Sequence, residues 1–269
     1  MKHQVKNLIL PAALSVSVLL VACGGGSASV GVLPIAPTRA PTPTPTPVPV
    51  SFAAEGVWRG TTSNGRALTG VVLDNGSYWV LYSATNNANI IAGVLQGSAK
   101  AENGDFASTD GKDLNQEGGG VNATTIVANY VAKKTLTGTL TYPASSQSVT
   151  LTGTYDADYE KKPALATIAG TYSGTGAVQG GSEAITLIVS ATGLITGTGT
   201  SGCKFTGTTS PHAKGNVYDV TVTFAGGACM LGTSTITGVG YYDASQKRLY
   251  GAALNTARNN GMIFVGTKP

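Results

Sequence analysis

The sequence is poor in the residue types that usually perform catalysis. Of its two histidines only His212 lies outside the N-terminal segment, and no carboxylate or nucleophile stands beside it in sequence. Catalysis by histidine needs a nucleophile and an orienting carboxylate as well. No paired carboxylates indicate an acid and a base, and no glycine-rich run precedes a helix to hold a phosphate. We therefore expect no catalytic residues, no metal site and no cofactor, and we interpret His212 as an exposed loop residue.

Charge is also scarce and nearly balanced. Charged residues make up 11% of the chain, and beyond residue 22 fifteen basic residues face thirteen acidic ones. The basic residues form isolated pairs such as Lys133-Lys134 and Lys161-Lys162, which are typical of solvated turns. Binding to nucleic acid or to an anionic membrane patch requires a concentrated basic surface. We therefore expect no nucleic-acid partner.

The N-terminus has the pattern of an export signal. Two lysines precede an apolar segment over residues 8–22, which is too short to span a membrane and has the flanks of a signal peptide. The segment ends in Leu20-Val21-Ala22-Cys23, which resembles the lipobox of bacterial lipoproteins. The resemblance implies removal of residues 1–22, lipidation of Cys23 and, because Gly24 follows instead of aspartate, an outer-membrane destination. An ordinary secretory signal or an uncleaved anchor is the alternative.

The cysteine count agrees with export. If Cys23 carries the lipid, Cys203 and Cys229 remain, which is an even number in an exported protein. A bridge between them closes a loop of about 27 residues and stabilises the fold by roughly 3 kcal/mol in the chain-entropy model. We therefore predict this disulfide, with two buried free thiols as the alternative.

Residues 23–51 have the composition of a tether. Residues 24–40 are rich in Gly, Ser, Ala and Pro, and residues 41–49 carry proline at every second position. Proline fixes φ and removes amide donors, so neither a helix nor a sheet can form there. Nine residues of polyproline II span roughly 28 Å. We predict a disordered spacer between the lipid and the folded part, with a proline-rich peptide ligand as the alternative.

From Phe52 onward the pattern is that of antiparallel strands. Apolar residues alternate with threonine over residues 135–142, 148–155 and 218–224, which predicts half-buried strands. Asn-Gly and Asp-Gly pairs between such segments are typical of hairpin turns. About eight strands precede Tyr159 and about eight follow Ala166. We predict an all-β fold with two antiparallel meander barrels, or sandwiches, of about eight strands each.

The folded part divides at its most polar stretch, residues 156–167, which contains Pro163. We interpret this stretch as the connection between two domains. The predicted boundaries are an N-terminal β domain over residues 52–160, a linker over 161–165 and a C-terminal β domain over 166–269.

The two predicted domains also open alike. Gly56-Val57-Trp58-Arg59-Gly60 matches Gly170-Thr171-Tyr172-Ser173-Gly174, and Leu136-Thr137-Gly138 matches Ile236-Thr237-Gly238. These matches indicate duplication of one antiparallel unit of roughly 105 residues.

Aromatic residues are the one concentration of possible binding chemistry. In Tyr78-Trp79-Val80-Leu81-Tyr82 the two tyrosines share one face of a predicted strand and Trp79 takes the other. We name Trp58, Tyr78, Trp79 and Tyr82 as candidate contacts with a ligand or a partner protein. Packing in the core is the alternative. Gly56-Val57-Trp58 is also similar to the Gly-X-Trp opening of lipocalin-like barrels, which implies that Trp58 closes a barrel base.

A tether followed by repeated β-barrel lobes resembles the surface lipoproteins of Gram-negative bacteria, of the transferrin-binding-protein-B and factor-H-binding kind. The segments over residues 249–253 and 261–264 are similar to the Phe-Tyr-Gly and Gly-Gly-X-Phe runs of those barrels, although position 249 is leucine. The match is architectural, so no binding residue is transferred to this chain.

Two hypotheses follow. The first is a non-enzymatic binding or adhesion lipoprotein, anchored to the outer membrane, displayed at the cell surface and directed at a host or envelope protein. The second is a periplasm-facing carrier of a small apolar ligand inside one barrel, with Trp58, Tyr78 and Trp79 near the cavity. An enzyme is the third.

Overall fold

The computed structural model describes residues 54–269, which are built almost entirely from antiparallel strands. The alternation of threonine with apolar residues directs one face of each strand to a core and the other to solvent. The all-β prediction is therefore confirmed. The predicted signal peptide over residues 1–22, Cys23 and the tether over 23–51 lie outside the described residues.

Barrel 1 contains the first nine strands. They are β1 (Gly56–Thr62), β2 (Ala67–Val72), β3 (Ser77–Ala84), β4 (Asn87–Ser98), β5 (Lys100–Glu102), β6 (Asp105–Asn115), β7 (Gly120–Val131), β8 (Thr135–Tyr142) and β9 (Gln147–Asp156). Strand β4 pairs with β6 beside the short β5, and β9 pairs with β1. Eight strands thus close a ring, which leaves no edge exposed for pairing.

Barrel 2 is a ring of eight strands in chain order. They are β10 (Gly170–Val178), β11 (Gly181–Val189), β12 (Leu194–Gly199), β13 (Lys204–Pro211), β14 (Tyr218–Phe224), β15 (Thr235–Asp243), β16 (Arg248–Leu254) and β17 (Gly261–Thr267). The pairing of β10 with β17 closes the ring. Two eight-strand barrels are therefore present, and the sandwich alternative is wrong.

Each barrel is filled by its own side chains. The core of barrel 1 includes Trp58, Tyr78, Tyr82, Phe106 and Leu136, and that of barrel 2 includes Tyr172, Phe205, Phe224, Ile236 and Phe264. The space left at the centre is about 70 Å³ in barrel 1 and about 60 Å³ in barrel 2. Ligand pockets usually measure about 300–1,000 Å³, so the space at the centre of each barrel is too small for a ligand of ordinary size.

The matched openings of the two halves occupy equivalent places in the two rings. Trp58 Nε1 donates a hydrogen bond to the carbonyl oxygen of Ala54, and the Tyr172 hydroxyl donates to that of Ile168, also four residues earlier. Each bond fastens the incoming chain over one end of its barrel. This equivalence supports the predicted duplication.

The glycines of the same motif are explained by close strand approach. A Cβ at Gly60 would overlap the backbone oxygen of Thr152 on β9, and a Cβ at Gly174 would overlap that of Val265 on β17. Both glycines therefore let the first strand meet the last strand. Gly138 and Gly238 do not correspond in this way, because β8 is the seventh strand of its ring and β15 is the sixth.

The outer walls of the two barrels pack against each other along an apolar seam. Barrel 1 contributes Val57, Val71, Leu73, Leu81, Val94 and Leu114, and barrel 2 contributes Val217, Val239, Tyr241, Tyr250, Ala252, Leu254, Ile263 and Val265. Residues 54–269 consequently belong to one packed unit.

Arginines close the polar edges of this seam. Arg59 of barrel 1 donates from Nη2 to Asp243 Oδ2 at 2.7 Å and to the Tyr241 hydroxyl at 3.1 Å. Arg258 of barrel 2 donates from Nη2 to the carbonyl oxygens of Gln96 at 2.7 Å and Asp110 at 2.8 Å. Charge-assisted bonds of this kind fix the register of the two walls.

Two short helices flank the predicted linker over residues 161–165. A 3-10 helix spans Ala157–Glu160 and an α-helix spans Leu165–Ile168. Tyr159 is buried in the seam, so this part of the polar stretch is packed. Independent folding of the two halves stays a prediction. No helix within residues 54–269 is long and apolar enough to cross a membrane.

Candidate functional site

The four aromatic residues named from the sequence occupy different environments. Trp58 and Tyr78 lie in the core of barrel 1 and line its small central space. Trp79 points the other way and packs on the seam, beside Tyr241 and Tyr250. Tyr82 is buried near one end of the barrel. The structure therefore does not bring the four together as one ligand site.

Barrel 1 has an open end, which we call the mouth. It is a cavity of about 370 Å³ bordered by the β1–β2, β6–β7 and β8–β9 turns. Its polar lining consists of Thr62, Asn64, Arg66, Tyr82, Asp113, Asn115, Asn122, Tyr142, Ser145 and Gln147. Since β1 runs from the Ala54 end to the mouth, the mouth lies at the end opposite the point where the chain enters.

A buried carboxyl group organises the mouth. Asp113 is 1% exposed; its Oδ1 accepts a hydrogen bond from the Tyr82 hydroxyl at 2.6 Å and its Oδ2 accepts one from Tyr142 at 2.9 Å. Burial raises the pKa of Asp113 above its usual range, although the two hydroxyl donors act to lower it. Burial and the neighbouring carboxyl also raise the pKa of Tyr82 and Tyr142. Three strands thereby hold both tyrosine hydroxyls in fixed positions.

Arg66 fastens two of the turns around the mouth. Its Nη2 donates to Glu117 Oε2 at 2.7 Å, and its Nη1 donates to the carbonyl oxygen of Ser83 at 2.8 Å. The guanidinium carbon lies 5.2 Å from the centroid of the Tyr82 ring, within the range of a cation–π contact. The hydrogen bond to Glu117 raises the pKa of Arg66. Its charge is therefore neutralised locally.

Barrel 2 has a different cavity, the end cavity. It measures about 410 Å³ and is lined mainly by apolar side chains, including Val178, Ile185, Phe205, Phe224, Leu231 and Met262. The loop over residues 225–234 borders it, and Cys203 and Cys229 tie that loop to the β12–β13 turn by the predicted disulfide, which is confirmed. At the rim, Glu183 accepts hydrogen bonds from Ser201 and Thr200.

His212 lies in the loop between β13 and β14, as predicted, but it is not exposed, because it contacts both barrels. Its side chain is 12% exposed, with Nδ1 2.7 Å from Asp219 Oδ1 and Nε2 3.2 Å from Asp74 Oδ1 of barrel 1. Burial would lower the pKa of His212, but hydrogen bonds to both carboxylates raise it above its ordinary value. Asp74 is 138 residues away in sequence, and Asp219 comes beside His212 only through the pairing of β13 with β14, so neither contact can be read from the local sequence.

The described residues do not form a metal site. Within residues 54–269, no group of three or more His, Cys, Asp or Glu side chains is placed to hold a metal ion.

Of the residues around the mouth, only Tyr82 was predicted from the sequence as a candidate contact, and Arg66, Asp113 and Tyr142 were not. The local sequence does not mark Asp113, because the register shift between Ser108 and Gly111 changes the alternation of β6 and directs Asp113 inward. A buried carboxyl needs hydrogen-bond partners, so a polar cluster surrounds it. Which tyrosines meet it depends on ring closure, which the sequence does not show.

No known family model matches the chain, and no curated protein matches it in sequence. Similar solved structures include isotype 1 transferrin binding protein B from Neisseria meningitidis, with 11% identity, 80% of this chain and 69% of that chain covered, and a TM-score of 0.30. A variant of transferrin binding protein B from Haemophilus parasuis has 11% identity and a TM-score of 0.29, with 78% of this chain and 60% of that chain covered. A candidate outer membrane protein from Bacteroides fragilis has 14% identity, 80% and 96% coverage and a TM-score of 0.24. TM-scores this low support no conclusion about the partner or the location of this protein.

Proposed function

We propose that the chain is a non-enzymatic binding module, anchored to the outer membrane through a lipid on Cys23 and displayed at the cell surface. The mouth of barrel 1 carries this proposal. It combines a cavity of about 370 Å³ with tyrosine hydroxyls that a buried carboxyl group already holds in place. Polar groups that are ordered before a ligand arrives reduce the entropic cost of binding.

The position of the mouth supports display. The predicted tether precedes Ala54, and β1 leads from there to the mouth over seven residues, which is about 23 Å of extended strand. The mouth therefore faces away from the entry of the tether into barrel 1. A host or envelope protein that approaches the cell surface is the partner that this orientation suits.

The geometry of Asp113 favours binding over catalysis. Both of its carboxyl oxygens already accept hydrogen bonds from tyrosines. A general base must reach the proton that it removes, so an occupied carboxyl is poorly placed for that role. The site orders two hydroxyls and offers them to a ligand.

Surface display is tested by adding protease to intact cells that carry the full-length protein. We expect rapid digestion, with a soluble periplasmic protein as an uncut control. Cys23→Ser should abolish lipidation and partition into the detergent phase. Protection in intact cells, followed by digestion after permeabilisation, would show a periplasm-facing protein instead.

The binding role is tested by photo-crosslinking on intact cells. A photoreactive amino acid replaces Ser145 at the mouth, and in a matched variant it replaces the exposed Gln246 in the β15–β16 turn. We expect a defined protein adduct from position 145 and none from position 246. Adducts from position 246 alone would exclude the mouth as the contact site.

The second candidate function is carriage of a small apolar ligand, and the end cavity of barrel 2 favours it. The space near Trp58 and Tyr78 is about 70 Å³, whereas the end cavity is about 410 Å³ and mainly apolar. Such a ligand would therefore occupy barrel 2 and not the barrel that contains both tryptophans. Native mass spectrometry of the full chain, released from cells in mild detergent, should then show a bound apolar molecule that Phe205→Ala releases.

A further inference from the structure

The amide side chains of the mouth are only partly used within the protein. Asn64 accepts from Thr62 through Oδ1, and Asn115 accepts from the backbone amides of Glu117 and Gly119 through Oδ1. Within residues 54–269 neither amide nitrogen donates a hydrogen bond, and the Gln147 side chain makes none. Each free amide group can donate to an oxygen atom of a ligand, and Gln147 can also accept.

The charged groups of the mouth already have partners. The guanidinium of Arg66 is paired with Glu117 at 2.7 Å, and both oxygens of Asp113 accept hydrogen bonds from tyrosine hydroxyls. An anionic ligand would have to compete with Glu117 for Arg66, and a cationic ligand would have to compete with the two tyrosines for the buried Asp113. The mouth therefore fits a ligand that is polar but uncharged.

Tyr142 adds a flat surface among these amides. Its hydroxyl is held by Asp113, so the ring is fixed at the edge of the cavity, and the side chain is only partly buried. An aromatic face packs well against C–H groups, while its hydroxyl and the nearby amides serve polar substituents. A ligand with an apolar face and many hydroxyl groups satisfies both requirements.

From these observations we propose that the mouth of barrel 1 binds a neutral saccharide. Sugar hydroxyls both donate and accept hydrogen bonds, as the free amides of Asn64, Asn115 and Gln147 require. The cavity volume of about 370 Å³ lies in the range of small-molecule sites. In this arrangement the sugar ring stacks on Tyr142 while the sugar hydroxyls form hydrogen bonds with the amides. This assignment rests on the proposed binding function and names the ligand class of the same site, in that the partner protein would be recognised through its glycan.

The test uses the full chain in mild detergent and ligand-observed NMR by saturation transfer. The probes are neutral di- and trisaccharides of glucose, galactose and mannose, the same backbones bearing a uronic acid, and short neutral peptides. We expect binding of at least one neutral saccharide at millimolar concentration or below, and weaker binding of its acidic counterpart.

Two variants at the mouth and one matched control locate the binding. Gln147→Ala removes an exposed amide that makes no internal bond, so the fold is kept, and we expect about fivefold weaker binding from one lost hydrogen bond. Tyr142→Ala should weaken binding about tenfold or more, since stacking and a hydroxyl are lost together. Gln246→Ala, in an exposed turn of barrel 2, should leave it unchanged.

The outcomes separate the ligand class from the function. Peptide binding that Gln147→Ala weakens, without saccharide binding, overturns the saccharide assignment and leaves the binding function intact. Saccharide binding that Gln147→Ala and Tyr142→Ala do not change overturns the assignment to the mouth. If no probe binds and position 145 gives no crosslink on cells, both the assignment and the proposed function fail.

Discussion

The two barrels share their opening motif and ring closure but differ at the end that carries a cavity. The mouth of barrel 1 is lined by amides, tyrosines and a buried carboxyl group, and the turns around it are joined by Arg66. The end cavity of barrel 2 is lined mainly by apolar side chains, and its largest loop is tied down by a disulfide. One architecture thus presents two chemically distinct sites.

The difference shows which positions of such a barrel are constrained. Gly60 and Gly174 sit where the first strand meets the last, so both halves keep glycine there. Turn residues meet no such requirement and are free to vary, which is where binding chemistry usually develops. If the halves arose by duplication, the walls kept the fold and the ends acquired separate ligands.

Separating the two barrels should change their stability more than any other alteration described below. Residues 54–160 and 166–269 each retain their own core, but separation exposes the apolar seam, a loss on the order of several kcal/mol. We expect each half to give a β-type far-UV spectrum and a cooperative melt at a lower temperature than the full chain. If neither half folds, the barrels are not separate domains.

Removing the disulfide should have the next largest effect and should act on barrel 2. Cys203→Ser with Cys229→Ser is expected to lower the free energy of unfolding of that barrel by about 3 kcal/mol. Trp58 lies in the core of barrel 1, whereas Trp79 packs on the seam, so in a background with Trp79→Phe the tryptophan fluorescence reports barrel 1 while near-UV tyrosine signals include barrel 2. If the double variant lowers the midpoint of the tryptophan transition alone, the disulfide stabilises barrel 1 and not barrel 2.

Substitution of the two equivalent glycines, Gly60 and Gly174, should lower the free energy of unfolding by similar amounts. Gly60→Ala and Gly174→Ala each place a methyl group against a backbone oxygen of the last strand, and we expect each to cost about 2 kcal/mol. Gly251→Ala is the control, because a Cβ there meets only ordinary contacts with Phe264. A large cost at one site and none at the other would argue against structural equivalence of the two openings.

The contact of His212 with both barrels should give a small pH dependence. Because its folded-state pKa is raised, the stabilisation is full below the unfolded value of about 6.5 and is lost as pH rises through the folded value. We expect the free energy of unfolding to fall as the pH rises above about 6.5. Denaturant titrations should show that His212→Gln removes this dependence, and an unchanged slope in the variant would assign it to another group.

The sequence allowed the walls to be predicted better than the site. Threonine alternation and Asn-Gly turns are local signals, and they led to two barrels of about eight strands. The disulfide followed from counting cysteines. The mouth depends on β3, β6 and β8 meeting through ring closure, which brings Tyr82, Asp113 and Tyr142 together across about sixty residues. The seam was missed for a related reason, because apolar outward positions such as Val57 and Val239 look like ordinary strand residues until the two walls meet.

Hydrogen–deuterium exchange of the full chain, with and without a neutral saccharide that binds it in the NMR experiment, locates the binding site. We expect the saccharide to slow exchange in the turns over residues 63–66, 116–119 and 143–146, which border the mouth of barrel 1. The loop over residues 225–234, beside the end cavity of barrel 2, should exchange at its unliganded rate. Protection confined to residues 225–234 would place the binding site in barrel 2 and would exclude the mouth of barrel 1.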